Sequence, residues 1–372
     1  MNPSPESLDW REFLARPPLP EPPPEVLDHL ARSPVLVTGA GGSIGSALAI
    51  RLAKAGHPSL VLLDSSENNL FELQLALEAG PNARPRAPEE TTFALGDAKD
   101  ADGLRELFSR HHPRIVFHAA AYKHVPFLEK HPLAAIANNI FSTDAVASAA
   151  AEHGAHFVFL STDKAVEPAS VMGATKRVAE QIALAHGGTV LRLANVLGSS
   201  GSVTEILARQ IANGEALTVA DPAARRYFLT LDEAVNLLLI STSHRGPNTV
   251  LAPALQKQHS IVELAAFMAL TLAPGREIPV SFTGLRAGDK LDEKLWSDSE
   301  RAVPLAEGGL ILIQSAPPEP ARFGRDLAAL RAALRVTDLP AALADLCALV
   351  PGFRPSQAVL SLVQSHRERE CV

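Results

Sequence analysis

Cysteine is scarce: Cys347 and Cys371 are the only two in 372 residues. Two thiols build no disulfide framework, and the count suits a reducing cytosol. Aromatic residues make up only 5% of the chain, and alanine carries much of the apolar share. An excess of basic charge is also missing. The net charge is −7, which argues against a nucleic-acid partner or an anionic-lipid surface. Long apolar runs are lacking as well. Ala234–Ile240 and Leu264–Ala273 are among the most apolar segments, and both fall short of the ~18 residues a membrane span needs. The N-terminus, MNPSPESLDWREF, has no apolar core behind a basic start, so no signal peptide is expected. These absences predict a soluble cytoplasmic protein without a membrane span. A hydrophobic share of 47% and a charged share of 20% are ordinary for an enzyme, and the length is ample for a large core.

What is present is a rhythm. Residues 1–33 form a Pro-rich leader (PPLPEPPPE, then a short helical VLDHLARS) expected to pack onto a neighbour. From Pro34 onward, apolar strand runs alternate with amphipathic helices. Strands are predicted at Val35–Thr38, Leu60–Leu63, Thr92–Leu95, Ile115–His118, His156–Leu160 and Thr189–Leu193. Helices are predicted at 43–55, 66–79, 99–110, 133–153 and 172–187. Continuous apolar strands alternating with helices predict an α/β fold, a Rossmann-type doubly wound parallel sheet. Its ligand should lie outside the carboxyl ends of the strands. The dinucleotide domain is predicted over 34–198, with 229–252 returning to it. Residues 199–228 and 253–372 are assigned to a smaller interleaved substrate lobe and C-terminal helices. Short strands are expected there at Leu217–Val219, Ile278–Phe282 and Leu310–Ile313, with helices at 323–335 and 338–350, and another short strand at Asn248–Leu251 in the returning segment.

VLVTGAGGSIGSAL places Gly39, Gly42 and Gly45 between the first strand and the first helix. Glycines permit a tight turn and close backbone approach, and the helix start at Ser43 and Ile44 offers free N–H groups to a pyrophosphate. Asp64 closes the second strand 19 residues after Gly45, near the spacing of a ribose-diol ligand, which favours NAD over NADP. Asp97 and Ala98 close the third strand, where the carboxylate could accept from an adenine amino group. Ala119, Ala120 and Ala121 close the fourth and leave room for a cofactor.

The stretch FVFLSTDKAVEPASVMGATKR, 157–177, ends a strand at Ser161, Thr162, Asp163 and Lys164 and opens a helix carrying Met172 and Lys176. A hydroxyl, an acid and a base at a strand end suit proton transfer. The same residues could equally form a capped turn with a salt bridge. His118, His124 and His131 fit none of the usual zinc spacings, so no metal is expected.

A wider set of motifs falls in one order: GDAKD (96–100), FHAAAYKHVPFLEKHP (117–132), NNI (138–140), STDKAVEPASVMGATKR (161–177), RLANVLGSSGSV (192–203), RRYFLTLDEA (225–234) and GLRAGDKLDEKL (284–295). Together with the TGxxGxxG turn, it resembles the extended short-chain dehydrogenases/reductases. Within them it is similar to the CapD-like nucleoside-diphosphate-sugar 4,6-dehydratases of polysaccharide and glycan biosynthesis. The resemblance runs from about residue 9 to about residue 356.

It implies an NAD-dependent lyase that converts UDP-N-acetylglucosamine to its 4-keto-6-deoxy derivative. The steps are oxidation at C4, loss of water from C5 and C6, and hydride return to C6. By this resemblance Asp163 is the acid at C6 and Lys164 the base at C5. Lys176 is expected to hydrogen-bond the nicotinamide ribose. The resemblance leaves the C4 base unassigned; the expectation here is that Thr162 binds the C4 oxygen while Asp163, or a water it holds, takes the proton. Burial should raise the Asp163 pKa and lower that of Lys164, while their mutual attraction works the opposite way. Most short-chain dehydrogenases carry a tyrosine four residues before the lysine; here the position is Met172, which cannot accept a useful proton.

Lys123, His124, Asn139, Asn195, Ser202 and Val203 are the expected substrate contacts, with Arg226 and Arg286 on the diphosphate or uridine. Glu293 is expected to orient the ribose or Arg286. Departures from the family pattern are Asp289, Ala287, Ala47 and the APALQKQHS segment after Leu251. Ala-rich helices at 133–153 and 173–187 suggest a homodimer or higher homo-oligomer. The same-fold alternative is a UDP-sugar 4-epimerase, and the alternative of another class is a non-catalytic NAD- or sugar-nucleotide-binding protein.

Overall fold

The computed structural model describes residues 8–55, 59–78, 91–306 and 309–370; Cys371 and the first residues of the leader lie outside them. Six parallel strands make the frame: β1 (Val35–Thr38), β2 (Leu60–Asp64), β3 (Thr91–Leu95), β4 (Ile115–His118), β5 (His156–Thr162) and β6 (Thr189–Leu193). Their spatial order is β6-β5-β4-β1-β2-β3, and Val250–Pro253 continues the sheet in parallel beyond β6. That order is the Rossmann-type arrangement the apolar runs predict. Every residue of β1, β4 and β6 is buried, because helices cover both faces of the sheet and leave no polar side for alternation. Thr38 pairs with both Leu63 and His118, so the carboxyl ends of the central strands lie level. The strand order reverses there, between β1 and β4, and a crevice opens.

Three features differ from the sequence reading. The single helix expected over 133–153 is two, Pro132–Asn139 and Phe141–Glu152. The Ser142 and Thr143 hydroxyls donate to the carbonyls of Asn138 and Asn139 four residues back, a pattern that bends helices. Strand β5 runs two residues beyond Leu160 and pairs Thr162 with Leu193, which makes Ser161 and Thr162 strand residues. Finally, Leu310–Gln314 and Arg301–Pro304 join the main sheet as antiparallel strands, the second of them at its edge. The sequence reading groups them with the substrate lobe and does not foresee the second. An edge strand that is only partly buried, as Arg301–Pro304 is, carries little apolar signal.

Two apolar clusters organise the packing. The larger surrounds the sheet and takes in Leu330, Leu343 and Leu346 from the C-terminal helices and Phe353 from the connection that follows them. The smaller joins Leu207, Ile211, Leu217, Phe228, Leu264 and Met268 to Leu8, Phe13 and Leu14 of the leader. The neighbour onto which the leader packs is therefore this same chain. Phe13 meets the rings of Phe228 and Phe267, and Arg16 forks onto buried Glu233 at 2.6 and 2.8 Å. Leu19 N and Thr230 N donate to the same carboxylate. Further along, Val26 and Leu30 enter the larger cluster. Among the described residues, no helix is long and apolar enough to cross a membrane.

Candidate active site

The crevice begins at the glycine turn. Gly39 adopts a φ of +70°, and a Cβ there would collide with the backbone of Ala120. At Gly45 a Cβ would strike the carbonyl of Gly39, so the helix can seat on the turn only without a side chain. Helix Ser43–Ala55 starts directly behind, and the first N–H groups of any helix lie outside its own ladder. The Asp64 carboxylate accepts from Gly41 N and Ser66 N, both at 2.8 Å, which aims it across the turn. Ala119, Ala120 and Ala121 are partly exposed beside it, and Ala98 is buried. Asp97 pairs with Lys99 at 2.7 Å. Burial pushes its carboxyl up, but the Lys99 ammonium outweighs this and holds it below the usual range.

Across the crevice, β5 delivers Thr162 and then turns through a short 3-10 segment, Asp163–Ala165. Asp163 is fully buried. Its Oδ1 accepts from Thr162 Oγ1 and from Lys164 Nζ, both at 2.9 Å, and its Oδ2 from Asn195 Nδ2 at 3.3 Å. Lys164 also donates to Asn195 Oδ1 at 3.1 Å, and Glu293 Oε1 stands 4.0 Å from its Nζ. Burial alone would lower the Lys164 pKa. Asp163 and Glu293 outweigh it and raise the pKa, so the lysine rests as an ammonium. The contest between burial and attraction goes to attraction for this residue.

Lys176 goes the other way. It is buried on Val171–Ala185, donates to Leu160 O at 2.6 Å and lies 4.1 Å over the Phe159 ring. Burial, only partly offset by Glu180, brings its pKa down to about 7. The low-pKa lysine is therefore Lys176, while at Lys164, where the sequence sets burial against attraction without deciding between them, attraction wins. Met172, one turn earlier, is 4% exposed and packs in the larger cluster.

The structure brings Thr162, Asp163, Lys164, Asn195 and Glu293 together, with Arg226 close enough to act on Lys164; the other candidates do not contact this cluster directly. Asn139 does not face the crevice, contrary to the substrate role expected for it. It is 1% exposed, and its amide is spent on Tyr122 N, Tyr122 O and Thr175 Oγ1, which fixes the loop after β4. Arg286 is exposed and pairs with Asp289 on its own turn, so Glu293 does not orient it. Arg226 donates to the carbonyls of Arg225, Leu291 and Lys290; it braces the segment that carries Glu293. Lys123 donates to Ser200 O, and Ser200 N donates to Ser43 Oγ at 2.9 Å. His124 lies against Gly201, so the 198–202 loop touches both sides of the crevice. Ser202 stands at the N-cap position of helix Val203–Asn213, but its hydroxyl bonds Thr204 Oγ1 at 2.7 Å instead of a backbone N–H of the first turn.

His118 sits between the hydroxyls of Thr38 and Thr143 at 2.6 and 3.1 Å. Burial drives its pKa down to about 3, with Lys176 adding to the effect, and the ring is neutral. The His131 ring packs at a tilt against Phe127, centroids 4.5 Å apart. The sequence reading misses Lys290, which pairs with Glu293 at 3.1 Å and donates to Val166 O. Its spacing of three from Glu293 is the signal that could have found it.

A sheet ordered in this way, a glycine turn at its switch point and a Thr-Asp-Lys turn at the end of β5 define an extended short-chain dehydrogenase/reductase. Residues 35–314 match the family described as polysaccharide biosynthesis protein, and the chain belongs to that family. Its relatives include the probable polysaccharide biosynthesis protein EpsC of Bacillus subtilis, 36% identical over 78% of this chain and 49% of that protein. The capsular polysaccharide biosynthesis protein CapD of Staphylococcus aureus is 34% identical over 79% and 50%. The chain thus spans about half the length of these two relatives. A protein of Rickettsia rickettsii named UDP-glucose 4-epimerase is 32% identical over 72% of this chain and 79% of its own.

Among solved structures, Pen from Bacillus thuringiensis superposes with a TM-score of 0.69 at 26% identity, over 77% of this chain and 90% of that one. DesIV of Streptomyces venezuelae, a dTDP-glucose 4,6-dehydratase solved with NAD, shares the fold at a TM-score of 0.61 and 20% identity, over 71% and 88%.

Proposed function

We propose that the chain is an NAD-dependent nucleotide-sugar 4,6-dehydratase acting on a UDP-sugar, with UDP-N-acetylglucosamine as the expected substrate, in the making of a surface polysaccharide or glycan. The observation that carries this reading is the Thr162–Asp163–Lys164 cluster, gathered on one strand end beside a buried methionine where other short-chain dehydrogenases place a tyrosine. The cofactor region suits a dinucleotide: a turn that tolerates no Cβ at Gly39 or Gly45, a helix start behind it, and Asp64 held ready for a ribose. Gly39, Gly42, Ser43, Ile44 and Gly45 would hold the diphosphate, Asp97 and Ala98 the adenine, and Ala119, Ala120 and Ala121 the space alongside. Bound there, NAD supplies hydride acceptance from sugar C4 and hydride return to C6.

The residues supply the proton work. Thr162 Oγ1, already donating to Asp163, orients the C4 hydroxyl, and Asp163 or a water it holds takes that proton. With C4 a ketone the C5 proton is acidic; Lys164, having released its resting proton to solvent through the open crevice, takes the C5 proton and gives it back to C5 as C6 receives its hydride. Asp163, then protonated, gives its proton to the departing C6 hydroxyl. Asn195 keeps acid and base in register through one hydrogen bond to each.

The relative named UDP-glucose 4-epimerase favours a second reading, 4-epimerisation at the same site. Incubation with UDP-N-acetylglucosamine and NAD separates the two. A product lighter by one water supports the dehydratase; an isomer of unchanged mass supports the epimerase. No change with any UDP-hexose overturns both.

A further inference from the structure

Glu293 reaches the catalytic turn from far along the chain, 3% exposed between two ammonium groups. Its Oε1 is 4.0 Å from Lys164 Nζ and its Oε2 is 3.1 Å from Lys290 Nζ. Several ties fix it there. Arg226 donates to Lys290 O and Leu291 O at 2.7 Å each, Arg225 N to Leu291 O at 2.9 Å, and Gln258 to Glu293 O at 2.8 Å. Lys290 itself donates to Val166 O at 2.8 Å, just beyond the Asp163–Ala165 turn. A buried carboxylate is costly unless paired, and here both oxygens are paired with ammonium groups by charge, while Oε2 has no hydrogen-bond partner among the described residues. Building on the dehydratase reading, we propose that Glu293 is a positioning residue that, together with Lys290, sets the protonation of Lys164, and that it does not bind the nucleotide ribose.

The C5 base must be neutral before it acts and charged afterwards. The charged groups acting on Lys164 are Asp163 on its own turn, Glu293 on the 290–293 segment and Arg226 on the short strand Arg225–Arg226; Lys290 pairs with the other oxygen of Glu293, and Thr162 and Asn195 complete the polar wall. Asp163 is hydrogen-bonded to the lysine, so changing it dismantles the pair. Glu293, at 4.0 Å, acts through its field, and its charge is shared with Lys290. It is the group through which the charge of Lys164 can be moved without breaking a hydrogen bond to it. Its burial and the ring of backbone ties keep that distance fixed.

The test is competitive acetylation of Lys164 across pH, read by peptide mass spectrometry, in the wild type, Glu293→Gln and Lys290→Met. Turnover of the UDP-sugar is followed in parallel. Glu293→Gln should move both the Lys164 reactivity curve and the ascending limb of kcat to lower pH, with KM little changed. Lys290→Met should move both to higher pH. A Lys164 curve that is the same in all three proteins overturns the proposal. So does a raised KM in Glu293→Gln with curve and limb unmoved, which is the signature of a ribose contact. If the wild type converts no nucleotide sugar, the dehydratase reading falls, while the acetylation curves still decide where Glu293 acts.

Discussion

Two ionic clusters flank the carboxyl ends of β5 and β6, built from the same kinds of residue. In one, Arg192 is fully buried and uses all five N–H donors: two on Glu180, two on Glu300 and one on Leu295 O. Arg177, Ser161 and Ser297 N fill remaining acceptor sites on the two glutamates. In the other, Lys164 keeps a side chain 24% exposed and makes two hydrogen bonds where an ammonium can make three. The first cluster is closed, neutral and saturated; the second opens on the crevice and has capacity to spare. Residue type alone does not separate structure from chemistry here. Saturation and access do.

The comparison can be broken at several points. Asp163→Asn should lower turnover by about 10²–10⁴-fold, the usual range for a general acid–base group, with the melting temperature nearly unchanged. An undiminished 4-keto product would remove Asp163 from the C4 and C6 steps. Arg192→Leu should do the reverse. It leaves two buried carboxylates sharing Arg177 as their cation, at a cost of about 3–5 kcal/mol, visible in denaturant melts, and any loss of turnover should follow the loss of folded protein. Burial pushes the Glu300 carboxyl up, but Arg192 outweighs it and holds the pKa at about 2. This cluster's contribution is therefore complete above the ordinary carboxylate range and is lost only as the pH falls toward about 2.

Lys176→Met gives a smaller effect of distinct sign. The folded pKa of about 7 lies below the unfolded value, so between the two the unfolded chain binds the extra proton and wild-type stability rises with pH. Without bound cofactor, the variant should melt above the wild type at pH 6, and the gap should close as the pH climbs towards 10. A gap that is constant with pH would mean Lys176 is charged in the folded protein.

The fold was largely legible because buried parallel strands write themselves as apolar runs and the glycine turn sits between two of them. The Thr-Asp-Lys turn was legible for the same reason: it interrupts β5 where a ligand crevice should be. What stayed hidden depends on contacts between distant parts of the chain. Nothing near Lys164 announces Glu293, so the balance between burial and attraction could not be judged. Asn139 reads like a polar residue free for a ligand until Tyr122 is seen to hold both ends of its amide. Arg192 was visible in principle, since one arginine in the apolar run TVLRL must find anions; which anions it finds is a matter of tertiary structure.

The clasp between Arg16 and Glu233 has a practical consequence for dissecting the protein. A fragment cut at Pro34, where the dinucleotide pattern begins, would leave Glu233 buried with its fork missing and would unroof Phe228 and the smaller cluster. Such a fragment should be recovered aggregated or readily digested, while one that keeps residues 8–33 should resist protease. The smallest piece that can fold alone is set by this clasp, and it is larger than the nucleotide-binding pattern suggests.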